Sequence, residues 1–319
     1  MGSTNNYLID HFTALKKYHT DLAARLDLNQ IPKIANYVNE CVKKEHKWLK
    51  QFENDGLVTV ENIVDKTKIL SIKSEVEEFI DERKYLNPIR KPQGKFVAPS
   101  DAEKTTKEFL EDLTDLEFKT PTVSIQDPLI NLKDLFSLVF HDEIISKITA
   151  YFKTLPMLTF VKVVKHFPND FQSSVNEWHV DGPPGSIGSS KLLKVIYYLD
   201  DINHLDEGPY CYIKGSHLDR ITYDKRSFSD NEISNHYPEK KIKHAYAKCG
   251  DAVFTRGELT HKAGKPSTKP RTLIIVNYCI HEEYLDTKGL DFIVDKIKIK
   301  KQDVSKLKFQ NLSDNLIKI

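Results

Sequence analysis

Residues 250–279, GDAVFTRGELTHKAGKPSTKPRTLIIVNYC, set the fold class. "DAVFTRG" and "RTLIIVNYC" read as two strands, apolar and rich in β-branched residues, bounded by Gly, Pro and Asp turns with no helical period between them. The same pattern runs upstream in "MLTFVKVVKHF" (157–167), "LLKVIYYL" (192–199) and "PYCYIKG" (209–215). Short strands in succession without intervening helices imply an antiparallel barrel or jelly roll rather than a doubly wound parallel sheet.

Before about residue 155 the period is helical. Leu8, Phe12 and Leu15, then Ile34, Val38 and Cys41, then Ile144, Ile145, Ile148 and Phe152 recur at helical spacing. Asn54-Asp55-Gly56 is a helix stop, "LVTVENIV" (57–64) a short strand, and residues 66–82 a further helix. Ser100 and Glu103 have capping-box spacing ahead of the helical "DAEKTTKEFLEDL". The polar stretch 218–247 is too long for a hairpin loop and has the character of a lid or insertion. In the tail, "DKIKIKKQDVSKLK" (295–308), the lysines read as a solvated face.

Composition narrows the function. A chain of 319 residues with 39% hydrophobic residues can bury a substantial core. Its 47 Lys and Arg balance 46 Asp and Glu, so no global field draws it to nucleic acid or an anionic membrane, and a small molecule is the expected partner. Cys41, Cys211, Cys249 and Cys279 form no CxxC pair, which argues against a zinc module or disulfide framework and fits a reducing cytoplasm. The start "MGSTNNYLID" has no apolar leader, and Asn6 stands where a myristoylation motif wants Ser or Thr. No stretch is apolar enough over a sufficient length to span a bilayer.

Candidate metal ligands come from "NEWHVDGPPG" (176–185), which sets His179 and Asp181 two apart, so that both point to one side of a strand edge. His-x-Asp occurs three times, the others being His204-Asp206 and His217-Asp219, and context separates them. The first directly precedes a strand, whereas His204 sits in a connecting loop and His217 follows the Gly215-Ser216 turn. A non-haem Fe(II) site needs two imidazoles and one carboxylate with open positions opposite. His261 offers the second imidazole, and Arg271, at the start of the next strand, offers a bidentate clamp for a dicarboxylate.

Taken in order, "WHVDG", "LDDINHLDEGPYCYIKGSH", "GDAVF", "THKAG" and "PRTLIIVNY" resemble the phytanoyl-CoA dioxygenase (PhyH) family of Fe(II)- and 2-oxoglutarate-dependent oxygenases. The resemblance spans roughly residues 50–282 and is strongest after 160. It implies an α+β chain with a double-stranded β-helix (jelly-roll, cupin-like) core and a helical N-terminal region packed on it. It divides the chain into a helical extension (1–50), the oxygenase domain (51–284) and a lysine-rich C-terminal segment (285–319). His179, Asp181 and His261 would hold Fe(II), and Arg271 the distal carboxylate of 2-oxoglutarate. Tyr197 stands where family members often place an aromatic residue against the cosubstrate. Ser124, in "TVSIQDP", falls near a position where some members carry a basic residue for it.

The implied chemistry consumes dioxygen, converts 2-oxoglutarate to succinate and carbon dioxide, and hydroxylates a small or medium-sized metabolite, with ascorbate as an optional stimulant. Halogenases of this kind replace the site carboxylate with a small residue. Asp181 keeps the carboxylate, so a product that gains oxygen or loses hydrogen, and never gains chlorine, is expected. The alternatives are a cupin-like metal protein without oxygenase activity, which would have no need of Arg271, and a binding protein with a decayed site.

Overall fold

The computed structural model describes residues 31–82, 86–88, 122–168, 176–181, 192–222, 225–279, 297–304 and 316–318. The apolar run at 8–15, the helix expected after Ser100 and the Pro183-Pro184 pair lie outside them.

Helix α1 (Ile31–Lys44) turns Ile34, Val38 and Cys41 inward. It leads into α2 (His46–Asp55), which buries Trp48 and Phe52. Gly56 ends α2 in the left-handed conformation at φ 78°, its N–H donating to Phe52 O. Strand β1 (Leu57–Val60) follows, then α3 (Lys66–Asp81), capped by the Asp65 side chain accepting from Thr67 N. Next come β2 (Leu86–Pro88), β3 (Thr122–Ile125), the short helices α4 (Pro128–Asn131) and α5 (Leu135–Val139), and the amphipathic α6 (Asp142–Phe152).

In chain order there follow β4 (Met157–His166), β5 (Trp178–His179), β6 (Leu192–Tyr198), β7 (Tyr210–Ile213), β8 (Ser227–Phe228), the helix α7 (Asp230–His236), β9 (Ile242–Ala245), β10 (Ala252–Arg256), β11 (His261–Ala263) and β12 (Arg271–Cys279), of which β4, β6, β7, β10 and β12 are the five expected from the sequence. A parallel pair, β13 (Ile297–Ile299) and β14 (Leu316–Lys318), closes the described chain, with α8 (Lys301–Val304) between them.

Two antiparallel sheets form the jelly roll, the larger in the order β1-β10-β6-β12-β4-β3-β2 and the smaller β8-β5-β11-β7-β9. The helical half therefore contributes three strands to the larger sheet as well as the helices that cover it. Alternation along each strand sorts two cores. One, with Phe52, Ile72, Val163, Tyr197, Ile274 and Val276, lies between the helices and the larger sheet. The other, with Val164, Ile196, Tyr198, Tyr210, Val253 and Leu273, lies between the sheets. The polar stretch 218–247 is woven into this framework, because β8 pairs with β5 and β9 pairs with β7. Its helix α7 starts from a capping box between Ser229 and Glu232 and covers the outer face of the smaller sheet.

In the tail, Ile297 and Ile299 are buried while Lys298 between them faces outward to Asp127 at 2.8 Å. All four cysteines are buried free thiols. Among the described residues no helix is long and apolar enough to cross a membrane.

Gly264, just after β11, is fixed by close approach. A Cβ there would lie 2.1 Å from the Pro209 carbonyl oxygen, so β7 and β11 meet only because that atom is missing. Gly264→Ala is expected to cost at least 1–3 kcal/mol through the backbone shift it forces. A denaturation midpoint within error of wild type would refute this close approach.

Candidate metal centre

His179 and His261 are direct cross-strand partners on β5 and β11, and their rings lie 4.3 Å apart between centroids. Asp181 follows two residues after His179, its N–H held by the Gly257 carbonyl at 3.0 Å. One ligating atom from each of the three side chains lies within 4.8 Å of the others, and among the described residues no other such set converges.

Each imidazole is oriented by the backbone behind it. His179 Nδ1 lies 2.7 Å from Glu177 O, and His261 Nδ1 lies 2.7 Å from Leu259 O. A carbonyl oxygen can only accept, so Nδ1 carries the proton on both rings and Nε2 keeps its lone pair for a cation. Tyr210 stacks on His261 at 4.9 Å and braces the ring.

The electrostatics agree. Burial, reinforced by the charges of His179 and Lys194, pushes His261 well below the ordinary histidine range, and burial likewise lowers His179. For Asp181 burial acts upward, but the Lys194 ammonium and the two histidines outweigh it and keep the carboxyl ionised. Two neutral imidazoles beside a carboxylate are the donor set that a divalent ion needs.

Arg271 lies on the inner face at the start of β12. It is 2% exposed, the largest fully buried side chain, and its Nε has no hydrogen-bond partner. No carboxylate pairs with it among the described residues, and burial lowers its pKa with only Tyr198 acting the other way. A guanidinium held dry without a counter-charge is costly unless an anion completes the site.

Strand parity corrects the tyrosine assignment. Tyr197 pairs with Ile274 and points into the helix-side core, where its hydroxyl has no partner. The inward tyrosine is its neighbour Tyr198, which shares a core with Leu273 and accepts a hydrogen bond from Tyr210 N at 2.9 Å. Ser124 is buried opposite Val164, two strands from Leu273. Asp181 is partly buried, and Lys194, which the sequence did not single out, is its ion-pair partner at 2.7 Å.

The other His-x-Asp histidines have separate tasks. His204 is exposed at the start of a 3-10 turn, and His217 Nε2 lies 2.8 Å from Glu53 O at the end of α2. His204→Ala and His217→Ala are therefore expected to keep full metal stoichiometry. Loss of the ion in either would relocate the site. A cleft of about 260 Å³ lies on the outer side of the smaller sheet, lined by Cys211, His244 and Lys262. Those residues alternate with the inward Tyr210 and His261, so the cleft is separate from the His179-Asp181-His261 set. Burial lifts the Cys211 thiol to about 11, which makes it a poor nucleophile at neutral pH.

With the triad and the buried arginine on one jelly roll, comparison with known proteins becomes informative. The family model for phytanoyl-CoA dioxygenase (PhyH) matches residues 52–273, more than half of the chain. The chain belongs to the PhyH family. PhyH-like folds recur among solved structures. The non-haem α-ketoglutarate-dependent epimerase SnoN from nogalamycin biosynthesis is 19% identical with a TM-score of 0.55, the match covering 74% of this chain and 83% of SnoN. SnoN in complex with Fe3+, α-ketoglutarate and nogalamycin RO gives 16% and 0.53 over 74% and 84%. The carbocyclase SnoK from the same biosynthesis gives 17% and 0.52 over 75% and 89%. At these identities the likeness establishes the fold. No curated protein sequence matches.

Proposed function

We propose that this PhyH-family chain is a non-haem Fe(II)- and 2-oxoglutarate-dependent dioxygenase that hydroxylates a small or medium-sized metabolite, with release of succinate and carbon dioxide. The observation that carries this reading is the pairing of a convergent His179-Asp181-His261 set with a buried, uncompensated Arg271 on the same jelly roll. When bound, iron and 2-oxoglutarate supply the oxidising power, drawn from dioxygen as the cosubstrate loses carbon dioxide.

The residues divide the rest of the work. His179 and His261 present Nε2 because their Nδ1 protons are committed to backbone carbonyls. Asp181 would supply the anionic donor, where halogenases of this kind carry a small residue instead. Arg271 clamps the distal carboxylate of 2-oxoglutarate through paired N–H donors, and Tyr198 packs beside it. Val164, Ile196 and Leu273 share the inner core with Tyr198, an apolar setting that would strengthen that charge contact. Ser124 would be a secondary anchor.

The chemical outcomes named for SnoN and SnoK, epimerisation and carbocyclisation, belong to those proteins. The retained carboxylate of Asp181 argues against halogenation, and hydroxylation is the outcome proposed for this chain. Incubation with Fe(II), 2-oxoglutarate, ascorbate and a metabolite pool should release succinate and yield a product heavier by one oxygen. Succinate release with a chlorinated product, or with a product that gains no oxygen, would overturn the hydroxylation assignment. A cupin-like metal protein would take up the ion and ignore 2-oxoglutarate, and the buried Arg271 speaks against it.

A further inference from the structure

Lys194 stands among the metal donors, although it belongs neither to the triad nor to the dicarboxylate clamp. It lies on the inner face of β6, its side chain only 11% exposed. Its ammonium is 2.7 Å from Asp181 Oδ2, 3.4 Å from His261 Nε2 and 5.9 Å above the Tyr210 ring. Asp181 Oδ2 has no well-aligned hydrogen bond, so this contact is an ion pair held by proximity rather than direction.

Those two acceptor atoms are the ones a divalent ion would take, and they are themselves 3.8 Å apart. An ion bonded to both would stand well inside the ~4–6 Å over which like charges oppose one another. The ammonium and the metal therefore cannot share these donors. Lys194 also needs an acceptor wherever it goes, because a buried ammonium without one is strongly disfavoured.

Such an acceptor lies directly across the sheet. The β6–β12 register pairs Lys194 with Asn277 on the same inner face, where cross-strand Cβ atoms are roughly 4.5–5.5 Å apart. Asn277 is 9% exposed, and its Oδ1 is buried without a donor. An ammonium displaced from Asp181 would thus find an unused buried carbonyl oxygen one strand away, beside the triad.

We propose that Lys194 is a two-position cation: it holds the metal's place between Asp181 and His261 in the metal-free protein and passes to Asn277 Oδ1 when a divalent ion enters. The proposal rests on the metal reading of the triad. In the metal-free state it gives buried Asp181 a counter-charge. On loading it sets a threshold, since an incoming ion must displace a resident one.

The test is calorimetric titration of Mn(II), which is redox-silent under these conditions, into metal-free wild type, Lys194→Met, Asn277→Leu and the double variant. Removing the competing charge should tighten Mn(II) binding in Lys194→Met by roughly tenfold or more. Asn277→Leu should weaken binding severalfold in the wild-type background and have no effect in the Lys194→Met background. Lys194→Met should also lower the melting temperature of the metal-free protein. If Lys194→Met does not fold, Lys194→Gln, which keeps a polar tip without the charge, carries the same comparison.

Equal or weaker Mn(II) binding on loss of Lys194 would overturn the competition. Equal weakening by Asn277→Leu in both backgrounds would overturn the second position. Failure of all four proteins to bind Mn(II) would instead strike the metal reading itself, and the proposal with it.

Discussion

Arg271→Ala is expected to weaken 2-oxoglutarate binding by about 1.5–3 kcal/mol, the usual worth of a hydrogen-bonded charge contact. Because Arg271 is 2% exposed and its Nε lacks a partner, water contributes little to its solvation and the anion contributes much. Lysine cannot reproduce the two-pronged contact, so Arg271→Lys should recover only part of the loss. The metal-free, cosubstrate-free protein should respond in the opposite direction. Arg271→Met removes a buried uncompensated charge and should raise its melting temperature, by roughly 2–4 °C for each kcal/mol gained. A structural arginine would show the reverse, a lower melting temperature with unchanged affinity for 2-oxoglutarate. Calorimetry on protein loaded with Mn(II), together with a thermal melt of the apo form, separates the two roles.

Asp181→Ala carries the other large effect, and it acts twice. It removes the anionic donor, which should abolish stoichiometric Fe(II) uptake, and it takes the counter-charge from the Lys194 ammonium, 2.7 Å from that carboxylate, leaving it at best the neutral Asn277 Oδ1. Breaking one side of such a pair costs about 3–5 kcal/mol when buried, and less here because the Asp181 side chain keeps 21% of its surface. Adding Lys194→Met to Asp181→Ala should restore much of the apo stability without restoring metal uptake. If the single variant keeps one equivalent of Fe(II), Asp181 is not a ligand.

The strands themselves were legible because apolar runs between Gly and Pro turns have few other solutions, and all five runs from "MLTFVKVVKHF" to "RTLIIVNYC" became strands. His179, Asp181 and His261 were legible because a strand edge puts alternate residues on one side and the next strand brings the second imidazole. Parity inside "LLKVIYYL" was not. The strand is buried on both faces, so hydrophobicity does not alternate, and only pairing with β12 shows that Lys194, Ile196 and Tyr198 face inward while Tyr197 faces the helices. Lys194 was hidden for the same reason, since a lysine inside an apolar run gives no sign of which side it takes. β2, β13 and β14 escaped notice because they are three residues each. The Ser229-Glu232 capping spacing was present in the polar stretch and did mark a helix, α7.

The central claim is that one site holds Fe(II) and 2-oxoglutarate together. Anaerobic titration of 2-oxoglutarate into Fe(II)-loaded protein, followed by the visible charge-transfer absorption of the chelate, tests it most directly. Wild type should develop the absorption and saturate at one 2-oxoglutarate per iron, His261→Ala should show none, and Arg271→Ala should need far more ligand. Wild-type protein that retains no iron, or binds 2-oxoglutarate equally well without it, would contradict the account.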